Sequence, residues 1–406
     1  MARSASWLHL LVCAGLLALV AACSDDPAAK STDTAQVTDT AAQSDTSGST
    51  DAAPLPGPTT TTACAGRATL PVPLDPQQPG PWPVGARTLL LGGLTTEVWY
   101  PAVPGSDAGK PTATYDIRKH LAEADAAKIS DAVNPLQQCN CVRDLPVDTS
   151  RGPYPLIVFV HGTAAFRSQS LRHVTHWVSR GFVVVSQDHP GLELKDVLAF
   201  NFGAEQEANT RALLTSFRTA LPDFLQGAVD LTRMAAIGHS AGGGAIEALG
   251  DEPGMQVLIP LASGGTVAGP YLRSSLVLAG DSDGVVQPPQ TRKGYDKSPL
   301  PKRLVVLAGA GHLAFSDLCL IGASQGGILQ VALDSGIEVL PLIATLARDG
   351  CAPEDLAPEK GFAIIHAATS AALEEHLTCQ GDQSAFFAAL PTALPNVATV
   401  EQAQAP

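Results

Sequence analysis

Two pentapeptides of the form G-x-S-x-G occur in the chain, and each could present a nucleophilic serine. One is Gly238-His239-Ser240-Ala241-Gly242; the other is Gly322-Ala323-Ser324-Gln325-Gly326. A serine hydroxyl becomes a strong nucleophile when a histidine takes its proton and a carboxylate orients that histidine and stabilises its positive form. Two backbone N–H groups must also meet the oxyanion that develops on the attacked carbonyl. The choice between the two serines therefore turns on where these partners fall.

Ser240 follows "MAAI", a short apolar run fit for a strand, and precedes "AGGGAIEALG", a small-residue helix start. A tight strand-to-helix turn strains the serine backbone, and Gly238 and Gly242 lack the side chains that would clash there. Downstream, "LVLAGDSDGVV" places Asp281 and Asp283 just past a strand end. "LAGAGHLAF" places His312 just past the last apolar strand. Upstream, "VFVHGTAA" ends a strand at His161-Gly162. The loop after it can offer the N–H of Thr163, and the residue after the nucleophile offers that of Ala241. His161 and His239 border this constellation and read as loop-orienting or packing residues.

Ser324 has Asp349, Asp355 and His366 after it, so a nominal order exists there too. However, "SDLCLI" is too short and too early for a central strand, and no apolar strand ends at either aspartate. His366 lies inside the helical pattern "FAIIHAATSAALEEHL", as does His376. Ser324 reads as a loop residue or an N-cap.

The elements needed to position Ser240 are legible around it. "ARTLLLGG" and "LTTEVWYPA" read as two early strands. "YPLIVFVHG", "FVVVSQDHPG", "MAAIGHS", "QVLIPLASG", "SSLVLAGDSD" and "KRLVVLAGAGH" are apolar runs of the kind covered on both faces. Between them "SQSLRHVTHWVSRG", ending at Gly181, and "ANTRALLTSFRTALPDF" have helical spacing. The alternation predicts an α/β chain with a mostly parallel, doubly wound sheet and helices on both faces. Two stretches interrupt it. Residues 102–150 carry "YDIRKHLAEADAAKISD", read as one helix. Residues 317–358 are largely apolar and read either as a lid or pocket wall over the strand ends, or as an extra helical layer.

From about residue 80 to 380 the chain resembles the α/β-hydrolase superfamily. It is most similar to the branch of platelet-activating-factor acetylhydrolases, dienelactone-hydrolase-like proteins and polyester hydrolases. The marks are "GPWPVGARTLLL…TTEVWYPA", "PLIVFVHG", "GFVVVSQDHPG", "IGHSAGG", "LVLAGDSDGVV" and "GAGHLAF". The resemblance implies Ser240 as nucleophile, Asp283 as acid, four residues into the stretch that starts at Gly280, and His312 as base. It also implies Thr163 and Ala241 as oxyanion donors. Dienelactone hydrolases carry cysteine as nucleophile, so the serine here argues against that substrate.

The rest of the chain bounds where such an enzyme works. "MARSASWLHLLVCAGLLALVAACSDD" has one positive charge, an apolar run and small residues before Cys23. It reads as a signal peptide over 1–22, and Val20-Ala21-Ala22-Cys23 resembles a bacterial lipobox, which implies an acylated Cys23 and an exported, membrane-anchored lipoprotein. Ser24 after the cysteine points to the outer membrane or cell surface. Residues 23–63 are Ser, Thr, Asp and Ala with few large apolar residues, and read as a disordered tether. Residues 64–390 form the hydrolase domain, 317–358 being the insertion read above as lid, pocket wall or extra layer, and 391–406 read as a flexible tail. Cys64, Cys139, Cys141, Cys319, Cys351 and Cys379 remain for disulfides in an unspecified pairing. A formal charge of −14 with no Lys/Arg cluster excludes a nucleic-acid partner.

The expected protein is a monomeric serine carboxylic-ester hydrolase. It acts on short- to medium-chain esters through an acyl-serine intermediate, with no metal and no organic cofactor. A lipase, a phospholipid acetylhydrolase or a polyester hydrolase is the alternative within the class. A non-catalytic surface binding lipoprotein on a hydrolase scaffold is the alternative outside it.

Overall fold

Apolar runs without polar alternation build the centre of the sheet. The computed structural model describes residues 70–404 except Ala204 and Cys379. The expected signal segment, acylated Cys23 and tether, and the cysteines Cys64 and Cys379, lie outside the described residues. The strands are β1 (Val84–Leu91), β2 (Leu94–Pro101), β3 (Thr114–Tyr115), β4 (Gln137–Gln138), β5 (Val142–Arg143), β6 (Tyr154–Val160), β7 (Val183–Gln187), β8 (Val229–His239), β9 (Met255–Leu261), β10 (Ser274–Gly280), β11 (Lys302–Leu307) and β12 (Val397–Ala403). Ten of them form one sheet in the order β12-β11-β10-β9-β8-β6-β7-β2-β1-β5, and β3 pairs with β4 apart from it. From β7 through β6, β8, β9 and β10 to β11 every pairing is parallel. β6, β7 and β10 are buried along their whole length, as a sheet covered on both faces requires.

The helices are α1 (Glu123–Ala126), α2 (Leu171–Ser179), α3 (Leu194–Leu198), α4 (Gln206–Thr219), α5 (Ala241–Ile246), α6 (Pro288–Lys297), α7 (Ile328–Asp334), α8 (Pro341–Leu346), α9 (Pro358–Leu377) and α10 (Ser384–Ala393). Successive residues of β6 point to opposite faces. Ile157 and Phe159 join a core with α2, α9 and α10; Leu156, Val158 and Val160 join one with α4 and α5. This is the expected α/β layering, helix–sheet–helix. The two expected early strands, β1 and β2, pair as a hairpin around Gly92 and Gly93, whose φ values of 59° and 81° suit a two-residue turn.

Two expectations are corrected. Residues 115–131 do not form one helix. A 3-10 turn, Ile117–His120, and the single turn of α1 replace it, because the Asp116 carboxylate accepts the Arg118 N–H at 3.0 Å and Ala122 is extended. The chain end is not a loose tail. β12 pairs antiparallel with β11 from Lys302↔Ala403 to Leu307↔Val397, with Val397 buried and Val400 packed against the core. The 317–358 insertion folds as short turns plus α7 and α8, and a Cys319–Cys351 disulfide closes it. A second disulfide joins Cys139 to Cys141.

The α2–α9 seam carries buried polar groups. Trp177 Nε1 donates to Thr369 Oγ1 at 2.9 Å, and Arg180 forms a buried ion pair with Glu374. His176 and His366 stack 4.0 Å apart beside His173. Burial holds His176 at about 3 and pushes His173 and His366 well below the usual histidine range. Burial also lowers His120 and His239 to about 3. These rings are neutral in the fold but take up protons in an unfolded chain below about 6.5. Their contribution to stability is present above that pH and is lost as pH falls towards 3. Each is worth up to about 1.4 kcal/mol per pH unit over that window. Buried Asp317, raised to about 7, works the other way, its contribution being lost as pH rises through 7. Burial raises Glu193, Glu247 and Glu374 in the same sense, but it lowers His161, His189 and His376 too, so the histidines outnumber the opposing carboxyls. Urea unfolding should show a midpoint that drops steadily between pH 7 and pH 5; a flat midpoint over that range would contradict the buried neutral rings.

Candidate active site

β8 runs through Gly238 and His239 into Ser240, and α5 begins at the next residue. Ser240 has φ 55° and ψ −120°, a conformation that L residues rarely adopt. Its N–H donates to the Leu261 carbonyl at 2.9 Å, which fixes the turn against β9. A Cβ on Gly238 would lie 2.2 Å from the Gly242 carbonyl oxygen, and one on Gly242 would lie 2.1 Å from that of Val160. Only glycine at both positions lets β6, β8 and α5 close to this distance.

Ser240 Oγ lies 2.9 Å from His312 Nε2. On the other side of the ring, His312 Nδ1 donates to Asp283 Oδ2 at 3.0 Å, with Oδ1 at 3.2 Å. Since Nδ1 faces a carboxylate, it carries the proton and Nε2 is left to accept the serine O–H. Asp283 and His312 are buried, whereas Ser240 is half-exposed. Asp283 Oδ1 also accepts the N–H groups of Val285 at 2.9 Å and Val286 at 2.7 Å. Asp281, the other candidate acid, is exposed and accepts the Gly309 N–H at 2.8 Å. Of the two candidate acids, Asp283 is the one that meets His312.

The loop after β6 is held from both sides. Gln206 Nε2 donates to the His161 carbonyl at 2.8 Å, and Gln169 Oε1 accepts the Gly162 N–H at 2.9 Å. A Cβ on Gly162 would come within 3.1 Å of Ser240 Cβ, so this loop lies against the elbow. Among the described residues, the N–H groups of Thr163 and Ala241 have no hydrogen-bond partner. Unbonded N–H donors of this kind are what an oxyanion arrangement requires. The bordering histidines hold backbone. His161 Nδ1 donates to the Gly162 carbonyl at 2.8 Å and Nε2 accepts the His189 N–H at 3.0 Å. His239 Nε2 donates to the His312 carbonyl at 3.0 Å. Burial lowers both rings and keeps them neutral.

Ser324 is exposed in a 3-10 turn between Gly322 and Gly326, which have φ of 69° and 85°. It caps neither this turn nor α7. None of its nominal partners reaches it. Asp355 accepts the Ala352 N–H, His366 stacks on His176, and Asp349 points into the other site. Asp349 Oδ1 accepts the His312 N–H at 2.5 Å, its Oδ2 the Gly284 N–H at 3.0 Å, and its carbonyl the Leu313 N–H at 2.8 Å. Gln169, Gln206 and Asp349 were not marked by sequence reasoning as parts of this site. Their targets are backbone groups, which leave no residue-type signal.

Next to the loop after β6 and to Leu313 lies an almost wholly apolar cavity of ≈ 90 Å³. Thr163, Ala164 and Leu313 border it on the side of the elbow. Ile117 and Ile129 come from the 102–150 excursion, and Leu318, Leu329 and Ile343 from the 317–358 insertion. The insertion is thus a wall of the pocket. Among the described residues no cluster of three His, Cys, Asp or Glu is placed to hold a metal ion.

A family model described as platelet-activating factor acetylhydrolase, isoform II, matches residues 125–192. That stretch holds β6, the loop with Thr163, α2 and β7, and it ends before Ser240. The fold is that of an α/β-hydrolase. Its resemblance to the acetylhydrolase family and its strand order together point to a hydrolase. No curated protein matches the chain. The elbow glycines give a direct test. Gly242→Ala must displace the Val160 carbonyl, and should lower the melting temperature by several degrees and remove reaction of Ser240 with a fluorophosphonate. A variant that melts and reacts like the parent would show that the elbow tolerates a Cβ.

Proposed function

We propose that the protein is a serine carboxylic-ester hydrolase of short- to medium-chain esters. The reading is carried by one observation: the unbroken chain Ser240 Oγ–His312 Nε2, His312 Nδ1–Asp283 at 2.9 and 3.0 Å. An apolar cavity bordered by Thr163 and by Leu313, the residue after His312, supports it. Ser240 Oγ attacks the ester carbonyl carbon while its proton passes to His312 Nε2. The carbonyl oxygen gains negative charge, which the N–H groups of Thr163 and Ala241 receive. The C–O bond to the alcohol then breaks, and His312 gives the alcohol its proton. Water attacks the acyl-serine with His312 as base, releasing the acid and restoring Ser240. Asp283 keeps the ring in register and stabilises its charged form. His161 and His239 take no part in proton transfer. No step requires a cofactor.

The cavity sets the acyl length. A dry cavity of roughly 150 Å³ takes the six carbons of benzene. By that measure ≈ 90 Å³ takes about four carbons, so butyryl-sized chains fill it. Each buried methylene is worth about 0.8 kcal/mol, or about four-fold in kcat/KM.

The same reading places the enzyme outside the cytoplasm, anchored in a membrane through Cys23. The apolar segment before that cysteine supports it, as do the Cys139–Cys141 and Cys319–Cys351 disulfides, which persist in oxidising compartments.

Ser240→Ala should reduce kcat/KM on p-nitrophenyl butyrate by about 10⁴-fold or more and abolish fluorophosphonate labelling, while Ser324→Ala stays within two-fold. Labelling that survives in Ser240→Ala and vanishes in Ser324→Ala would reverse the assignment. No labelling of the parent would favour a binding protein on a hydrolase scaffold. Filling the cavity with Ile343→Trp should cost butyrate about ten-fold relative to acetate. An unchanged ratio would remove the cavity from acyl binding.

A further inference from the structure

We propose that Asp349 is a positioning residue that locks the histidine loop to the acid loop. The inference rests on the reading of Ser240, His312 and Asp283 as a catalytic relay. His312 and Asp283 stand on separate loops, after β11 and β10, and meet through the Nδ1–carboxylate bond. At their bases the loops are joined by the Ser282 N–H to the Ala310 carbonyl at 3.1 Å and by the Gly309 N–H to Asp281 at 2.8 Å, but neither bond reaches His312 or Gly284. Asp349 comes from neither loop. It lies near the end of the 317–358 insertion and divides its two carboxylate oxygens between them. Oδ1 receives the N–H of His312 itself at 2.5 Å, and Oδ2 receives that of Gly284, the residue after Asp283, at 3.0 Å. Its carbonyl receives the Leu313 N–H, so three backbone donors flanking the pair converge on one residue.

The surroundings are shaped for this approach. A Cβ on Gly311 would lie 2.6 Å from Asp349 Oδ1, and one on Gly284 would lie 2.6 Å from Oδ2. Gly350, at φ 92°, packs on the backbone of Gly311 and Ala314. No ion pair engages Asp349 among the described residues, so its charge serves the two N–H bonds, which a carboxylate makes stronger than a neutral acceptor would. Two residues on, Cys351 is bonded to Cys319, seven residues after His312. The arm that carries Asp349 is therefore fastened to the segment that carries the histidine.

Misplacing a catalytic group by about 1 Å costs on the order of 10²-fold in rate. Asp349→Asn keeps the shape but leaves one oxygen for two N–H groups and turns an NH₂ towards the other. Its kcat on p-nitrophenyl butyrate, counted per fluorophosphonate-titrated site, should fall about 10- to 100-fold with KM within two-fold. Pseudo-first-order fluorophosphonate labelling should slow in parallel. Asp355→Asn, which loses a turn bond within the same insertion, should stay within two-fold in both. In Asp349→Ala, formate but not chloride should restore part of kcat. A parental kcat in Asp349→Asn overturns the inference, as does a rise in KM alone or an equal loss in Asp355→Asn. If Asp349→Asn does not fold, the formate result decides: recovery supports the role and absence of recovery overturns it. Failure of the relay reading looks different, since Ser240→Ala would then keep labelling and activity whatever Asp349 does.

Discussion

The strained backbone of Ser240 is the constraint on which the rest of the site depends. A non-glycine residue at φ 55° and ψ −120° costs on the order of 1–3 kcal/mol and persists only where its surroundings hold it. Here they do so from three sides. Leu261 accepts its N–H, Gly238 and Gly242 let the β6 and α5 backbones meet, and two apolar cores clamp the strands beneath. The strain raises the hydroxyl out of the turn to meet His312, and it leaves the Ala241 N–H without an internal partner.

Around that point the parallel strands do the gathering. β6, β8, β10 and β11 all end on the same side of the sheet, so the loops that follow them meet without any long connection. What keeps those loops still is a set of side chains bonded to backbone. Gln206 and Gln169 grip the loop after β6, and His239 holds the carbonyl of His312. Burial keeps His161 and His239 uncharged, so a site with several imidazoles near the serine presents one that faces both a hydroxyl and a carboxylate.

The parts legible in the sequence are those written as local pattern. The buried strands announce themselves as apolar runs. Ser240, Asp283 and His312 follow three such runs in the order the fold needs, and Ser324 fails because no run precedes it. Asp281 and Asp283 could not be separated by position alone; resemblance favoured the second, and the distances to His312 agree. β12 was missed because an edge strand needs only Val397 and Val400 on the core side, leaving the rest polar. The helix expected at 115–131 failed because the bonds of Asp116 to Arg118 lie below the resolution of periodicity. Asp349 was noticed only as a possible acid for Ser324. Its bonds are to main-chain N–H groups far away in sequence, and nothing in residue type encodes them.

The 317–358 insertion has two attachments of different kinds, and this bears on how such a protein can diversify. Its apolar side chains line a cavity whose lining includes none of Ser240, His312 and Asp283, so exchanging one aliphatic residue for another there alters shape at little risk. Its length is another matter. Between Cys319 and Cys351 the chain leaves the histidine loop and returns to it in a set register, with Asp349 arriving two residues before the disulfide. A lineage built on this scaffold is free to change the size of the residues in this wall, but adding or removing a residue near Asp349 shifts the backbone of the histidine. Under the proposed function, acyl preference can therefore drift by substitution, whereas insertions and deletions are channelled to the distal turns around Gly322–Gly327 and Gly336.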